Sequence, residues 1–348
     1  MNIQTAGRGT QLTIPNKYHE LYCQPDYYPL PSEDINRILT KYYEETPRNI
    51  ISKNDSPDIP FNYSINPYQG CEHGCVYCYA RNSHEFWGFN ASIDFESKII
   101  SKPKAPELLR AKFQSKNWKP EKIILSGNTD CYQPIERKMK ITRNLLKVFL
   151  EFGNPVGVIT KNVLLLRDLD LLIKLANEKL VHVVLSITSL DEGLRRLLEP
   201  RSSAGIKRLQ AIRKLKENGI PVSVMLSPVI PGINDHEIPA IIRESSNYGA
   251  DDITMTMVRL NGVNGIIFND WMQKNFPDKK DKVINQIKAL HNGNLNESRY
   301  GYRMKGSGHL ATSINLLFKT VRSHYFIHRK EPILKTTRFR RNGMQSLF

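Results

Sequence analysis

The chain has 348 residues, enough for one large domain with extensions or for two domains, and 40% of them are apolar, enough for a sizeable core. Its 50 basic and 34 acidic residues give a net charge of +16, an excess that attracts polyanions. The sequence contains neither a run of 18 apolar residues nor an apolar signal core at its N-terminus, which predicts a cytoplasmic protein with no membrane span.

Residues 1–60 are polar and rich in Pro, Tyr and Asn, which predicts an N-terminal extension packed on the rest of the chain. One helix is expected within it, around Glu33–Tyr43. Cys23 stands alone in this region and is interpreted as a structural cysteine.

Three cysteines lie close together in the stretch Asn66–Arg81, NPYQGCEHGCVYCYAR, with the spacing C-x3-C-x2-C. Three thiolates bind three corners of an iron–sulfur cubane and leave the fourth iron without a protein ligand, whereas four cysteines would close the cluster. A catalytic site needs such an open position, because a substrate or cosubstrate can coordinate there. The alternative is a zinc site with His73 as fourth ligand, although His73 lies inside the C-x3-C loop, where it would strain a tetrahedral set. A disulfide is disfavoured, since five cysteines is an odd number and cytosolic thiols stay reduced.

From residue 120 onward, short apolar runs alternate with amphipathic segments. The predicted strands are Tyr63–Asn66, Ile123–Leu125, Val156–Ile159, Val181–Ile187, Val222–Leu226 and Ile253–Val258. The predicted helices are 141–152, Leu166–Asn177, Asp191–Leu198, Ser203–Asn218, Asp235–Tyr248, Val283–His291 and Gly308–Arg329. The apolar runs are too continuous for a half-exposed sheet and suit parallel strands covered by helices. Repeated βα units imply right-handed crossovers, so we predict an α/β core domain with a parallel sheet or barrel over residues 61–292.

Polar residues follow the predicted strands, where a buried core would not require them. They are the segment Ser-Gly-Asn-Thr-Asp at 126–130, then Thr160 and Lys161, then Ser186 and Thr188, and then Ser227. In parallel βα barrels the active site lies at the carboxyl ends of the strands. We therefore expect these groups, and the cysteines that follow the first strand, to gather at one rim of the barrel.

Residues 293–348 are predicted to form a helical and basic C-terminal extension. Its basic residues are Lys319, Arg322, Arg329, Lys330, Lys335, Arg338, Arg340 and Arg341. They indicate either a solvated face or contact with an anionic polymer such as nucleic acid.

The stretch Asn66–Arg81, with the aromatic residue Tyr77 before its last cysteine, resembles the cluster-binding motif of the radical S-adenosylmethionine (SAM) superfamily. Over most of its length the chain resembles the branch related to spore photoproduct lyase and a family of uncharacterised bacterial radical SAM proteins. This implies a partial (β/α)6-type barrel, a [4Fe–4S] cluster on Cys71, Cys75 and Cys78, and SAM at its open iron. It also implies reductive cleavage of SAM to a 5′-deoxyadenosyl radical that takes a hydrogen atom from a substrate, with nucleic acid as the leading candidate. The electron donor would be of the flavodoxin or ferredoxin type.

The resemblance also suggests which side chains contact SAM. Asn128 and Asp130 follow the second strand, where relatives hold the SAM amino group, although Ser-Gly-Asn-Thr-Asp stands here in place of the usual Gly-Gly-Glu. Lys161 and Ser186 match positions that approach the SAM carboxylate and ribose. The remaining candidates are Tyr77 and Tyr79, which would flank the adenine and the cluster, and Arg201, which is either a partner of the SAM carboxylate or a member of a structural ion pair.

Cys131 is a candidate for a different role. Spore photoproduct lyase carries an extra cysteine that donates a hydrogen atom to a substrate radical, just before a Thr-Ser-Asp stretch. Here Gly127 precedes Asn-Thr-Asp and Cys131 follows Asp130, so the register differs by about four residues. A catalytic role for Cys131 and a partly buried structural role both stay open.

Two other functions compete with that of a radical enzyme. One is an iron–sulfur protein that uses its cluster only for electron transfer or sensing, a function that would not need a polar rim at four strand ends. The other is a zinc-stabilised nucleic-acid-binding module, which would bind zinc in air and show no SAM turnover.

Overall fold

The computed structural model describes residues 7–18, 39–327 and 332–343. Its strands are β1 (Lys41–Glu44), β2 (Ile51–Lys53), β3 (Tyr63–Ile65), β4 (Tyr68–Gln69), β5 (Lys98–Ser101), β6 (Ile123–Leu125), β7 (Val156–Thr160), β8 (Val181–Ser186), β9 (Val222–Val229) and β10 (Ile253–Met257). Seven of them form the main sheet in the order β10-β9-β8-β7-β6-β3-β2, and the other three form a small sheet in the order β1-β5-β4. In the main sheet all neighbours are parallel except β2, which runs antiparallel to β3 at the edge.

The continuous apolar runs form the parallel strands, as predicted. All three residues of β6 and five of the six residues of β8 are buried, so both faces of these strands are covered. Strands β10 and β2 stand at the two ends of the sheet, so the barrel is partial. The predicted α/β class with a partial parallel barrel is confirmed.

Helices cover the sheet. They are α1 (Ile93–Ser97), α2 (Ala105–Gln114), α3 (Glu136–Met139), α4 (Ile141–Phe152), α5 (Leu169–Asn177), α6 (Glu192–Leu198), α7 (Gly205–Glu217), α8 (Ile238–Asn247), α9 (Asn264–Asn275), α10 (Lys280–Leu290) and α11 (Gly308–Tyr325), with 3-10 turns at Tyr79–Trp87, Val163–Asp168, Asp235–Glu237, Pro277–Lys279 and Thr336–Arg338. The apolar residues of α4 recur every three or four positions and are buried, and the helix ends at Gly153, whose φ of +64° suits a left-handed C-cap. Within the described ranges, no helix is long and apolar enough to cross a bilayer.

The N-terminal region differs from its prediction. Residues 41–44 form a strand parallel to β5, so the helix expected around Glu33–Tyr43 is wrong at its C-terminal end. Residues 33–38 of that helix, and Cys23, lie outside the described residues. All four residues of β1 are exposed, so no periodic burial marks this strand, and its pairing with β5 comes from tertiary contact.

The C-terminal helix α11 ends at Tyr325, before the predicted Arg329, which lies outside the described residues. Residues 332–343 then return to the core. There Phe339 meets Phe113 edge to face, with 5.9 Å between the ring centroids. The C-terminal extension is thus anchored by aromatic packing.

Two basic residues of this extension form ion pairs with the core. Arg322 pairs with Asp252 at 2.7 Å, and Arg340 pairs with Glu178 at 3.0 Å. These two contacts join the extension to the core, and at this exposure each contributes about 0–1 kcal/mol.

Candidate active site

The cysteine loop, residues 70–78, directly follows β4. Gly70 and Gly74 have φ angles of +72° and +67°, a conformation that glycine adopts without strain and that lets the loop turn sharply. Cys71 and Cys75 are each 7% exposed, Cys78 is partly buried, and all three are free thiols. Cys78 packs against both the apolar cluster that contains Cys71 and the one that contains Cys75. The loop therefore gathers the three predicted cysteines.

The three thiols lie in surroundings that disfavour their charged form. Burial raises the pKa of Cys71, Cys75 and Cys78, because a thiolate loses its hydration. Cys78 raises the pKa of Cys71 further, and both raise that of Cys75, so the sulfurs lie within electrostatic reach of one another. In the part of the chain that the structure describes, no three His, Cys, Asp or Glu side chains are arranged around a single metal ion. A cationic cluster would offset the cost of burying these sulfurs, because its charge would stabilise them as thiolates, each on a separate iron.

The two side chains after Cys71 have partners within the protein. His73 Nδ1 lies 3.4 Å from Asp130 Oδ2, and its Nε2 lies 3.3 Å from the side-chain nitrogen of Asn162. Burial lowers the pKa of His73, so the ring is neutral at neutral pH. Glu72 accepts a hydrogen bond from Arg201 at 3.2 Å. Both ring nitrogens of His73 are thus engaged, and Arg201 forms an ion pair with the cysteine loop.

The segment after β6 is anchored by Asn66. Its side-chain oxygen accepts from the backbone N–H groups of Gly127 and Asn128, at 2.9 and 2.8 Å. The Asn128 amide nitrogen donates to Ser83 Oγ at 2.8 Å, which leaves the carbonyl oxygen as the atom this side chain can offer as an acceptor. Tyr79 is 47% exposed, and its hydroxyl donates to the carbonyl oxygen of Gly127 at 2.5 Å. Asn128 and Tyr79 therefore lie together beside the cysteine loop.

Asp130 joins this segment to the next strand end. Its Oδ1 accepts from the hydroxyl of Thr160 at 2.7 Å and from the N–H of Tyr132 at 2.8 Å. Its Oδ2 accepts from the N–H of Lys161 at 2.7 Å and faces His73. The carboxylate thus ties the cysteine loop to the end of β7.

A buried cluster of charges lies beside the cysteine loop. Glu199 Oε1 is 3.1 Å from Lys161 Nζ, and its Oε2 is 2.5 Å from Arg208 Nη2. The Tyr77 hydroxyl also donates to Glu199, as does Thr188 at 2.5 Å. Burial alone would raise the pKa of Glu199, but the cations of Arg208 and Lys161 outweigh it and hold that pKa well below its ordinary value. The ionised carboxylate therefore fixes both Lys161 and Tyr77.

Glu199 and Arg208 were not predicted as site residues. Glu199 lies two residues before the predicted Arg201, whereas Arg208 is one of several basic residues in α7 and no sequence pattern distinguishes it. Arg208 also donates to the carbonyl oxygen of Ser186 at 2.6 Å, and Ser186 is 5% exposed. This buried arginine therefore joins the end of β8 to Glu199, the residue after α6.

Cys131 lies in the main apolar core. Its side chain is fully buried, and its Sγ is 4.0 Å from the carbonyl oxygen of Ile159. Its N–H donates to Ser126 Oγ at 2.8 Å, and burial raises the pKa of its thiol well above the ordinary value. This placement favours the structural role over the catalytic one.

Comparison with known proteins adds solved structures of the same fold. The chain matches spore photoproduct lyase complexed with dinucleoside spore photoproduct with a TM-score of 0.60 and 15% identity, over 82% of this chain and 79% of that one. A variant of the same lyase with bound AdoMet and dinucleoside spore photoproduct matches with a TM-score of 0.60 and 15% identity, over 84% and 82% of the two chains. At this identity the similarity shows a shared fold.

Sequence relatives cover the same region. An uncharacterized protein of Mycobacterium tuberculosis is 30% identical over 222 residues, which are 63% of this chain and 65% of the relative. An uncharacterized protein of Methanocaldococcus jannaschii is 31% identical over 224 residues, 64% of this chain and 80% of the relative. The chain thus spans 65% of the length of the mycobacterial relative. The family model described as the radical SAM superfamily matches residues 65–244, more than half of the chain, and this chain therefore belongs to the radical SAM superfamily, a class of enzymes.

Proposed function

We propose that this chain is a radical SAM enzyme whose Cys71, Cys75 and Cys78 hold a [4Fe–4S] cluster. The observation that carries the proposal is the meeting of three free thiols, two buried and one partly buried, with the polar ends of the parallel strands. When bound there, the cluster and SAM would supply the chemistry, which is reductive cleavage of SAM to a 5′-deoxyadenosyl radical for hydrogen abstraction from a substrate. The protein's own residues bind and orient SAM and exclude water.

We propose that the rim residues divide this work. Asn128 offers its carbonyl oxygen to the SAM ammonium group, and Tyr79 borders the exposed side of the cosubstrate. Lys161 and Arg201 are the cations for the SAM carboxylate. Lys161 would share its charge between SAM and Glu199, and Arg201 would share its charge between SAM and Glu72. The remaining members, Tyr77, Asp130 and Ser186, hold the cysteine loop and the strand ends in place through the bonds described above.

We propose nucleic acid as the leading substrate class. It is supported by the net charge of +16 and by the shared fold with a lyase whose structure holds a dinucleoside photoproduct. The proposal includes a cytoplasmic location, and a flavodoxin- or ferredoxin-type protein as electron donor.

Anaerobic reconstitution tests the radical chemistry. The purified chain, loaded with iron and sulfide and reduced with dithionite, is expected to carry about four irons and to form 5′-deoxyadenosine from SAM. Iron content and chromatography of the nucleoside are the measurements. Iron without nucleoside would favour electron transfer or sensing, and zinc bound in air with no turnover would favour the zinc-stabilised module.

Salt dependence tests the nucleic-acid proposal. If about three phosphates are contacted, the affinity for a labelled single-stranded oligonucleotide is expected to fall about 20-fold between about 50 and 200 mM salt. Fluorescence anisotropy measures the affinity, and a peptide nucleic acid of the same sequence, which has no phosphates, is the control. Binding that is unchanged by salt, or equal for both polymers, would contradict the electrostatic basis of the proposal.

A further inference from the structure

Residues 7–10, which we name the N-terminal strap, cross the cysteine loop in direct backbone contact. A Cβ atom added to Gly9 would stand 1.7 Å from the carbonyl oxygen of Gly74, the residue before Cys75. A Cβ added to Gly74 would stand 3.1 Å from Arg8 Cβ. The glycine at position 9 is therefore required for this approach, and the φ of +67° at Gly74 favours glycine there as well.

One buried carboxylate holds the strap. Glu96 is 1% exposed, and its Oε2 accepts from the backbone N–H groups of Arg8 and Gly9, both at 2.8 Å. Its Oε1 accepts from the N–H of Thr10 at 3.0 Å. Three consecutive backbone donors on one buried carboxylate form strong, charge-assisted hydrogen bonds.

The same carboxylate reaches the cysteine loop through Arg81. The Arg81 Nη2 atom lies 2.5 Å from Glu96 Oε1, and the arginine is fully buried. Its Nε and Nη2 donate to the carbonyl oxygen of Cys75 at 3.0 and 2.8 Å. The strap, Glu96, Arg81 and the Cys75 backbone thus form one continuous polar connection.

The side chain of Arg8 holds the strap in addition to the backbone hydrogen bonds. The Arg8 guanidinium donates to the backbone carbonyl of Glu96 and to the hydroxyl of Thr40. Thr40 in turn donates to Glu72 of the cysteine loop at 3.4 Å. The strap is therefore bonded to Glu96 directly and to Glu72 of the cysteine loop through Thr40.

We propose that the N-terminal strap is a clasp that keeps the cysteine loop in its cluster-binding form, with Glu96 and Arg81 as positioning residues. The inference rests on the proposed cluster. Outer contacts of this kind fix the geometry of metal ligands, and their loss weakens metal binding about 10- to 100-fold. Freeing the strap leaves the Gly74–Cys75 backbone without its cover and exposes the Glu96–Arg81 pair to water.

The test uses the full chain, reconstituted anaerobically, with the Gly9→Ala substitution. The added methyl group displaces the strap, and transfer of iron to a ferrous chelator is expected to become about tenfold faster than in the wild type. Arg8→Ala, which adds no atoms, is expected to change the rate in the same direction. Gln11→Ala is the control, because Gln11 is exposed and directly follows the strap, and this variant is expected to lose iron at the wild-type rate.

A second readout does not depend on the cluster. Amide hydrogen exchange in the iron-free chain is expected to rise over residues 70–78 in Gly9→Ala, while the thermal midpoint stays near that of the wild type. Wild-type exchange and wild-type iron loss in both strap variants would overturn the clasp. A wild type that takes up no iron would instead defeat the proposed cluster, and the exchange measurement would still decide the clasp.

Discussion

Cys75→Ser is expected to abolish both the iron–sulfur cluster and the formation of 5′-deoxyadenosine. Cys75 lies between Cys71 and Cys78 in the sequence, and the sulfurs of both raise its pKa in addition to the effect of burial. A serine hydroxyl ionises far less readily than a thiol, so the variant leaves the cluster with two strong ligands. The measurements are iron per chain after anaerobic reconstitution, the absorbance of the cluster and the yield of nucleoside.

Cys131→Ala is the matched control for this prediction. Its side chain is fully buried in the main core, so the variant is expected to keep its iron and its turnover and to lose only some stability. A Cys75→Ser variant with about four irons and full turnover would place the cluster elsewhere. Loss of turnover in Cys131→Ala with its iron retained would restore the hydrogen-donor role that its burial disfavours.

The parallel strands could be predicted because their signal is local. A run such as Ile123–Leu125, fully apolar and set between amphipathic segments, has few alternatives to a buried parallel strand. The cysteine loop was predictable for the same reason, since its spacing lies within a few residues. The short strand β1 was not, because all its residues are exposed and only its partner β5 makes it a strand.

The polar network around the loop could not be predicted, because its members are distant in sequence. Glu96 and Arg81 are 15 residues apart, and Glu96 meets Arg8 from 88 residues away. From the sequence alone, a single glutamate in a short helix is expected to be exposed at the surface. Only the fold shows that this one is buried and satisfied by four donors.

Arg201 was predicted with two alternative partners. Its position in the sequence suggested a contact with the SAM carboxylate or a structural ion pair, and the structure pairs it with Glu72. Such a pair leaves the arginine at the rim with its charge partly compensated. The contact with SAM therefore stays a prediction that only a bound cosubstrate tests.

Glu199→Gln is expected to lower the free energy of unfolding of the iron-free chain by about 3–5 kcal/mol. The substitution leaves Arg208, which is fully buried, and Lys161, which is 17% exposed, without their shared counter-charge. Urea denaturation at neutral pH measures the change. Glu192→Gln is the control, because Glu192 is 41% exposed and its partner Arg196 is 72% exposed, and contacts at such exposure contribute about 0–1 kcal/mol. Its second partner, Arg195, is buried but also donates to the carbonyl oxygens of Glu199 and Ser202, so the substitution does not leave it without acceptors.

The effect of Glu199 depends on pH in one direction. Because its pKa in the folded chain lies well below the ordinary value of 4.5, the ionised carboxylate stabilises the fold above that pH, and the contribution is lost as the pH falls through the folded pKa. The stability gap between the wild type and Glu199→Gln is therefore expected to be full at neutral pH and to narrow in acid. A stability difference that stays constant in acid would contradict this prediction, and so would a Glu192→Gln variant that loses as much stability as Glu199→Gln. Either result would show that the buried charge cluster does not stabilise the wall of the proposed SAM site.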